Sequence, residues 1–240
     1  MSEQKRQETN AKTERLRVVT IDGPSGVGKS TVSRTVAAEL GFTYLDTGAM
    51  YRAVAYACTK AGISADNVDQ QDALALLLDK LDLRLLPPAQ EEDDVRVLLG
   101  DKDISAAIRM PEMSMAASKV SAVPAVRARL TAMQQEMGLA GGLVADGRDT
   151  GTVVFPQAAW KFYLDASPEE RCRRRVAQLR ERGQEVDEQE TLAQIIERDR
   201  NDQERTIAPL VMAEDAVLVD SSHLDINQVV ARMLEIVSVT

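Results

Sequence analysis

The stretch TIDGPSGVGKST, residues 20–31, runs from β-branched residues through three glycines to a lysine followed by two hydroxyl side chains. The residues leading into it, RVVTID (Arg17 to Asp22), form a short apolar run of the kind found in a buried parallel strand. Past the glycines, Val32, Val36 and Leu40 recur at i, i+4 and i+8, which predicts a helix through KSTVSRTVAAELG closed by Gly41. Between strand and helix, Gly23, Pro24, Ser25, Gly26, Val27, Gly28, Lys29 and Ser30 spell G-x-x-x-x-G-K-S, with Thr31 next. Glycines admit positive φ and let backbone N–H groups close on an anion, and the helix N-terminus faces the same anion. The pattern reads as a nucleoside triphosphate loop. Lys29 would reach the β- and γ-phosphates, and the Ser30 hydroxyl a magnesium ion. A glycine-rich turn with a solvated lysine is the plainer alternative.

Outward from the loop, FTYLD reads as a second strand, and LVADG (143–147), KFYLD (161–165) and AVLVD (216–220) are further apolar runs, each with an aspartate at or near its end. Ile226, Val229, Val230, Met233, Leu234 and Val237 make a helical stripe. Strands alternating with helices predict an α/β fold: a P-loop three-layer architecture with a central parallel five-stranded sheet and helices on both faces. One segment breaks the rhythm. LDLRLL (81–86) and VRVLLGDKDI (95–104) alternate apolar with polar residues around PPAQEEDD, which predicts a hairpin with an acidic turn. We expect a small antiparallel insertion over about 64–108, on the acceptor side, between core segments 17–63 and 109–240.

The chain of 240 residues is 44 % hydrophobic, enough for one large domain or a core with an insertion. No run approaches the roughly 18 apolar residues of a membrane span. Residues 1–16 are polar and read as a tail, neither signal nor anchor. Cys58 and Cys172 lie apart, without partners nearby, which suits a reduced, cytoplasmic protein. A net charge of −9 and 3 % aromatic residues argue against binding a nucleic-acid polymer. Yet Arg171, Arg173, Arg174, Arg175, Arg180, Arg182, Arg198, Arg200 and Arg205 crowd one region, as they would around a small anion in a cleft.

Three segments offer that second anion site. In DTGAMYR (46–52), Thr47 and Tyr51 can hydrogen-bond phosphate or ribose and Arg52 can fork onto a phosphate; Thr47 as a helix cap beside a surface arginine is equally open. In ADGRDTG, Arg148 and Asp149 sit just past a strand end, and Asp146 resembles a Walker B carboxylate that could hold magnesium through water, or else a turn carboxylate. In ERDRNDQER, Arg198, Asp202 and Arg205 would share one helix face, either as an exposed ion-pair ladder or as phosphate clamps around a ribose acceptor. Met110, Met113 and Met115 read as gap-fillers, Trp160 as core, and His223 as a surface loop residue.

Taken together, TIDGPSGVGKST, LDTGAMYRAVA, ASKVSAVPAVR, VADGRDTGTVVFP, DASPEERCRRR and ERDRNDQERTIAPL resemble the bacterial cytidylate (CMP) kinases, in order from about residue 17 to the end of the chain. The resemblance implies transfer of the ATP γ-phosphoryl group to CMP or dCMP, with magnesium, by a monomer. It implies that Gly23 to Thr31 bind ATP, that Thr47, Tyr51 and Arg52 frame the acceptor, and that Ser118, Arg127 and Asp149 read the base. Arg148 would hold the acceptor phosphate, Arg198 and Asp202 the ribose, and Arg205 the phosphate. Arg171, Arg174 and Arg175 would lie in a short lid, about 167–185. Thr47 stands where a serine is common, which keeps the hydroxyl. A kinase for another acceptor and a nucleotide-binding switch module are the rival readings. The first differs in acceptor preference. The second predicts no acceptor-dependent ADP release, and it has no use for so many arginines.

Overall fold

The computed structural model describes residues 15–88, 94–181 and 183–239. β1 (Leu16–Asp22) feeds the glycine loop, and α1 (Lys29–Leu40) ends on Gly41, whose φ of 64° is the left-handed conformation that terminates a helix cheaply only in glycine. β2 (Thr43–Asp46) leads into α2 (Thr47–Ala61). Asp46, rather than Thr47, caps α2, because its carboxylate accepts the Ala49 N–H at 2.7 Å. α3 (Gln71–Asp79), β3 (Leu83–Leu86), β4 (Arg96–Leu99) and β5 (Lys102–Asp103) come next. α4 (Pro111–Val120) and α5 (Pro124–Gly138) each start on a proline, whose missing N–H costs nothing in a first turn. The chain continues through β6 (Leu143–Gly147), β7 (Ala158–Asp165), α6 (Pro168–Glu181), α7 (Glu188–Glu204), β8 (Val217–Asp220) and α8 (Ile226–Val239).

Five strands form a sheet in the order β2-β6-β1-β7-β8, and every neighbouring pair is parallel. The order reverses around β1, so a crevice opens at the carboxyl ends beside it. The register lines up Asp22 with Gly147, Asp46 with Asp146, and Asp165 with Asp220. The expected parallel architecture is the one observed, and Asp22, Asp46, Asp146, Asp165 and Asp220 line its carboxyl edge.

One face of the sheet, through Val19, Ile21, Val144, Phe162 and Val219, packs on α1 and α8 by way of Val32, Val36, Val229 and Met233. The other face, through Val18, Leu45, Leu143 and Ala145, packs on α2 and α5 by way of Met50, Ala53, Val126 and Leu130. That second cluster also takes in Leu74, Leu78, Leu83, Val97, Ile104 and Ile108. The insertion is therefore built onto the domain core.

Sequence and structure differ in several places. The expected hairpin is a three-stranded antiparallel sheet, β3-β4-β5, because the second run turns at Gly100, where φ is 57°. α3 precedes it, and residues 89–93 of the expected acidic turn lie outside the described residues. Of the expected tail, residues 1–14 lie outside as well, whereas Leu16 already belongs to β1 and Arg15 donates to the Ala159 carbonyl at 3.2 Å. Met113 is buried, but Met110 and Met115 are each 51 % exposed and fill no gap. Arg205 does not continue the helix face of Arg198 and Asp202: α7 stops at Glu204, and Arg205 takes an extended conformation with ψ 138°.

Candidate active site

The loop from Gly23 to Gly28 lies at the carboxyl end of β1. A Cβ on Gly23 would stand 2.0 Å from the Leu164 carbonyl oxygen, and Gly26 holds φ at 78°, so the turn demands glycine for space at one position and for conformation at the other. Val27 anchors the loop in the core while Gly26, Gly28, Ser30 and Thr31 stay exposed to an incoming anion. Lys29 is only 7 % exposed, and its Nζ donates to the carbonyls of Gly23 at 2.8 Å and Pro24 at 2.6 Å. Burial, then repulsion from Arg148, pulls its ammonium well below the ordinary lysine pKa.

Ser30 Oγ donates to Asp146 Oδ2 at 2.9 Å, and Tyr44 OH donates to Oδ1 at 3.2 Å. Burial, with Asp46 adding like charge, pushes the Asp146 carboxyl up to about 7. A buried carboxylate beside a serine hydroxyl is a hard-oxygen pair suited to magnesium, which keeps waters and takes phosphate oxygens for its remaining positions. Among the described residues no cluster of three or more acidic, histidine or cysteine side chains could hold a metal by itself. The residues fit the ion.

Arginines from α6 brace the loop from outside. Arg171 is buried, donating through Nε to Ala166 and through NH1 to the Ser25 carbonyl at 3.1 Å, and pairing with Asp199 at 2.6 Å. Arg174 donates to the carbonyls of Val27 at 3.4 Å and Ser221 at 2.6 Å, and pairs with Glu170. In this conformation both are struts under the loop. Arg175, half-buried, reaches Gln178 at 3.2 Å, and Arg182 lies outside the described residues.

Across the crevice, Arg148 donates to Asp202 at 2.8 Å, and Arg52 pairs with Asp46 at 3.1 Å. The Nε atoms of Arg52 and Arg198 are buried without a hydrogen-bond partner. Burial, then repulsion from Arg148 and Arg52, lowers Arg198 to about 10, and Lys29 feels both Arg148 and Arg198. Positive charge thus gathers among these four side chains, with Arg148 and Arg52 offset in part by Asp202 and Asp46. Such a cluster is costly alone and favourable around a polyanion. Burial raises the Asp202 carboxyl, but Arg148, Arg198 and Arg205 outweigh it and hold it below its ordinary value.

A second group lies deeper. Arg127 is ion-paired with Asp149 and also donates to the Ser121 carbonyl at 3.1 Å, and Arg205 reaches the other Asp149 oxygen at 3.4 Å. Burial lifts the Asp149 carboxyl despite both arginines. Arg127 sits 5.7 Å from the Tyr51 ring centroid, and burial pushes the Tyr51 phenol up to about 12. Ser118 is half-buried on α4, and its carbonyl accepts from Ser121, so it touches this group only through a neighbour. Thr47 is buried and spends its hydroxyl proton on the Asp146 carbonyl at 2.6 Å, tying α2 to β6.

Residues the sequence did not single out complete the frame. Asp22 accepts from the Thr150 N–H, the Thr150 hydroxyl and the Gly151 N–H, and so holds the segment that carries Arg148 and Asp149. Asp46 orients Arg52, and Asp199 anchors Arg171. Their shared signal was the aspartate at a strand end, or one turn from an arginine.

The sequence matches the family model described as cytidylate kinase over residues 19–239. The chain belongs to the cytidylate kinase family. A cytidylate kinase of Syntrophotalea carbinolica is 47 % identical over 221 residues, 92 % of either chain. One of Carboxydothermus hydrogenoformans is 45 % identical over 219 residues, 91 % of this chain and 96 % of that one. In fold alone, this cytidylate kinase family member is similar to an uncharacterized protein of Eubacterium ventriosum, with a TM-score of 0.50 at 10 % identity, covering 94 % of this chain and all of that one.

Proposed function

We propose that the protein transfers the γ-phosphoryl group of ATP to CMP or dCMP, giving ADP and CDP or dCDP, as a cytoplasmic monomer in pyrimidine nucleotide metabolism. The observation that carries this reading is the convergence of Lys29, Arg52, Arg148 and Arg198, with two guanidinium N–H groups unpaired, at the edge of a glycine phosphate loop. One triphosphate does not need so many cations. Two phosphorylated substrates lying end to end do.

On this reading Gly23 to Thr31 cradle ATP, and Lys29 leaves its loop carbonyls for the β- and γ-phosphates. Ser30 and Asp146 would hold magnesium, which when bound would neutralise charge on the phosphate oxygens. Arg52, Arg148 and Arg205 grip the acceptor phosphate, while Arg198 and Asp202 face the ribose, with Thr47 and Tyr51 framing it. Arg127 and Asp149, with Ser118 nearby, read cytosine: the carboxylate suits its exocyclic amine and the guanidinium its ring nitrogen and carbonyl. A wrong base would leave this buried pair unmatched, which discriminates far better than lost apolar contact. The acceptor phosphate is already an anionic nucleophile, so no general base is required, and His223 is exposed beyond β8. Alignment and charge neutralisation supply the rate, and Arg171, Arg174 and Arg175, on the segment of about 167–185, close the donor side against water, which requires Arg171 and Arg174 to leave the carbonyls they hold in this conformation. Within the described residues no helix is long and apolar enough to cross a membrane.

ADP release measured with each nucleoside monophosphate in turn tests the assignment. CMP and dCMP should support turnover well above UMP, AMP and GMP. ADP release independent of any acceptor would replace the kinase with a hydrolytic switch.

A further inference from the structure

Asp146 has two carboxylate oxygens, and each receives its own hydroxyl. Ser30 reaches Oδ2 from the first turn of α1, beside the phosphate loop. Tyr44 reaches Oδ1 from β2, two residues before the strand's last aspartate. The register explains the meeting: β2 runs parallel to β6 with Tyr44 beside Val144 and Asp46 beside Asp146, so the phenol extends along the sheet toward the carboxyl edge. Its ring packs against both apolar clusters, where β2, β6 and α1 meet. A ring held on two sides leaves the phenol oxygen little freedom, whereas an aspartate χ2 on its own is broadly distributed.

We infer that Tyr44 is a positioning residue for the cation-holding carboxylate: its hydrogen bond to Oδ1 fixes the Asp146 rotamer, so that Oδ2 and Ser30 Oγ are presented together to the divalent ion accompanying the triphosphate. The inference rests on the reading of Ser30 and Asp146 as the magnesium ligands. On this reading Tyr44 is not itself a ligand of the ion. It acts through Asp146, as outer-shell partners of metal ligands commonly do.

Tyr44→Phe keeps the ring and its packing and removes only the hydroxyl. Free Mn2+ would be counted by electron paramagnetic resonance in titrations of the full chain with a non-hydrolysable ATP analogue, and metal-free analogue binding measured by calorimetry. The expected result is a Mn2+ dissociation constant raised about tenfold, the lower end of outer-shell effects, with metal-free analogue binding unchanged and turnover restored at high Mg2+. Wild-type Mn2+ affinity in Tyr44→Phe overturns the inference, as does an equal loss of metal-free analogue binding, which would mark a packing defect. Asp146→Asn separates the two layers. If it loses Mn2+ affinity while Tyr44→Phe does not, only the positioning role fails. If it too binds Mn2+ normally, the ligand assignment fails and the inference falls with it.

Discussion

Asp22 and Thr150 are joined twice, since a single carboxylate oxygen, Oδ1, accepts both the Thr150 N–H at 2.9 Å and its hydroxyl at 2.8 Å. Asp22 immediately precedes the glycine loop, and Thr150 comes directly after Asp149, so one buried side chain fastens that loop to the segment carrying Arg148 and Asp149. Asp22→Asn would turn an amide against the Gly151 N–H that Oδ2 now accepts at 2.8 Å. We expect a stability loss of about 1–3 kcal/mol, the cost of a stranded buried polar group, measured by chemical denaturation. Catalytic efficiency toward CMP should fall further than ATP affinity. A variant of wild-type stability would remove the proposed link.

Lys29→Met should lower turnover by roughly 10³, the scale of a removed transition-state charge partner. The unfolding midpoint should hold or rise, because an ammonium at 7 % exposure no longer has to be stripped of water. Steady-state rates and thermal unfolding of one preparation check both halves.

Asp149→Ala strands two arginines at once. Arg127 is buried and Arg205 nearly so, and an unpaired buried charge typically costs about 3–5 kcal/mol. The kcat/KM ratio for CMP over UMP should collapse toward parity while ATP affinity holds. Equal losses for every acceptor would undo the base-reading role.

The Asp146 carboxyl sits at about 7 in the fold and 3.8 in an unfolded chain. Between those values the unfolded chain releases a proton that the native protein keeps, so this group's stabilisation is full below pH 3.8 and is lost as pH rises through about 7. Thermal midpoints of nucleotide-free, metal-free protein should therefore decline across pH 5–7.5 more steeply than those of Asp146→Asn. Parallel curves would show that the carboxylate is already ionised in the native state.

The parallel sheet was legible because each strand is a short apolar run with an aspartate at its edge, and because the glycine pattern dictates the phosphate turn between β1 and α1. α3 was not, since QDALALLLD is apolar on most sides and reads as readily as part of an extended insertion. The site residues were recognisable as anion-binding types, but their pairings were not. Nothing in the spacing joins Arg127 to Asp149, or Arg171 to both Ser25 and Asp199, because these contacts cross between elements far apart in the chain. Thr47 was the cap that the sequence offered, and only the structure shows that the Asp46 carboxylate took the Ala49 N–H and left the Thr47 hydroxyl to β6.

The apolar cluster that runs unbroken from Leu74 and Val97 of the insertion to Met50 and Leu130 of the central layers has an evolutionary corollary. A region welded into its host in this way cannot be exchanged as a cassette. Swapping in the corresponding region of a kinase for a different acceptor would leave α2 and α5 facing side chains that no longer interlock. With Arg127 and Asp149 as the proposed base readers, new specificity on this scaffold should therefore arise by point changes around them rather than by shuffling.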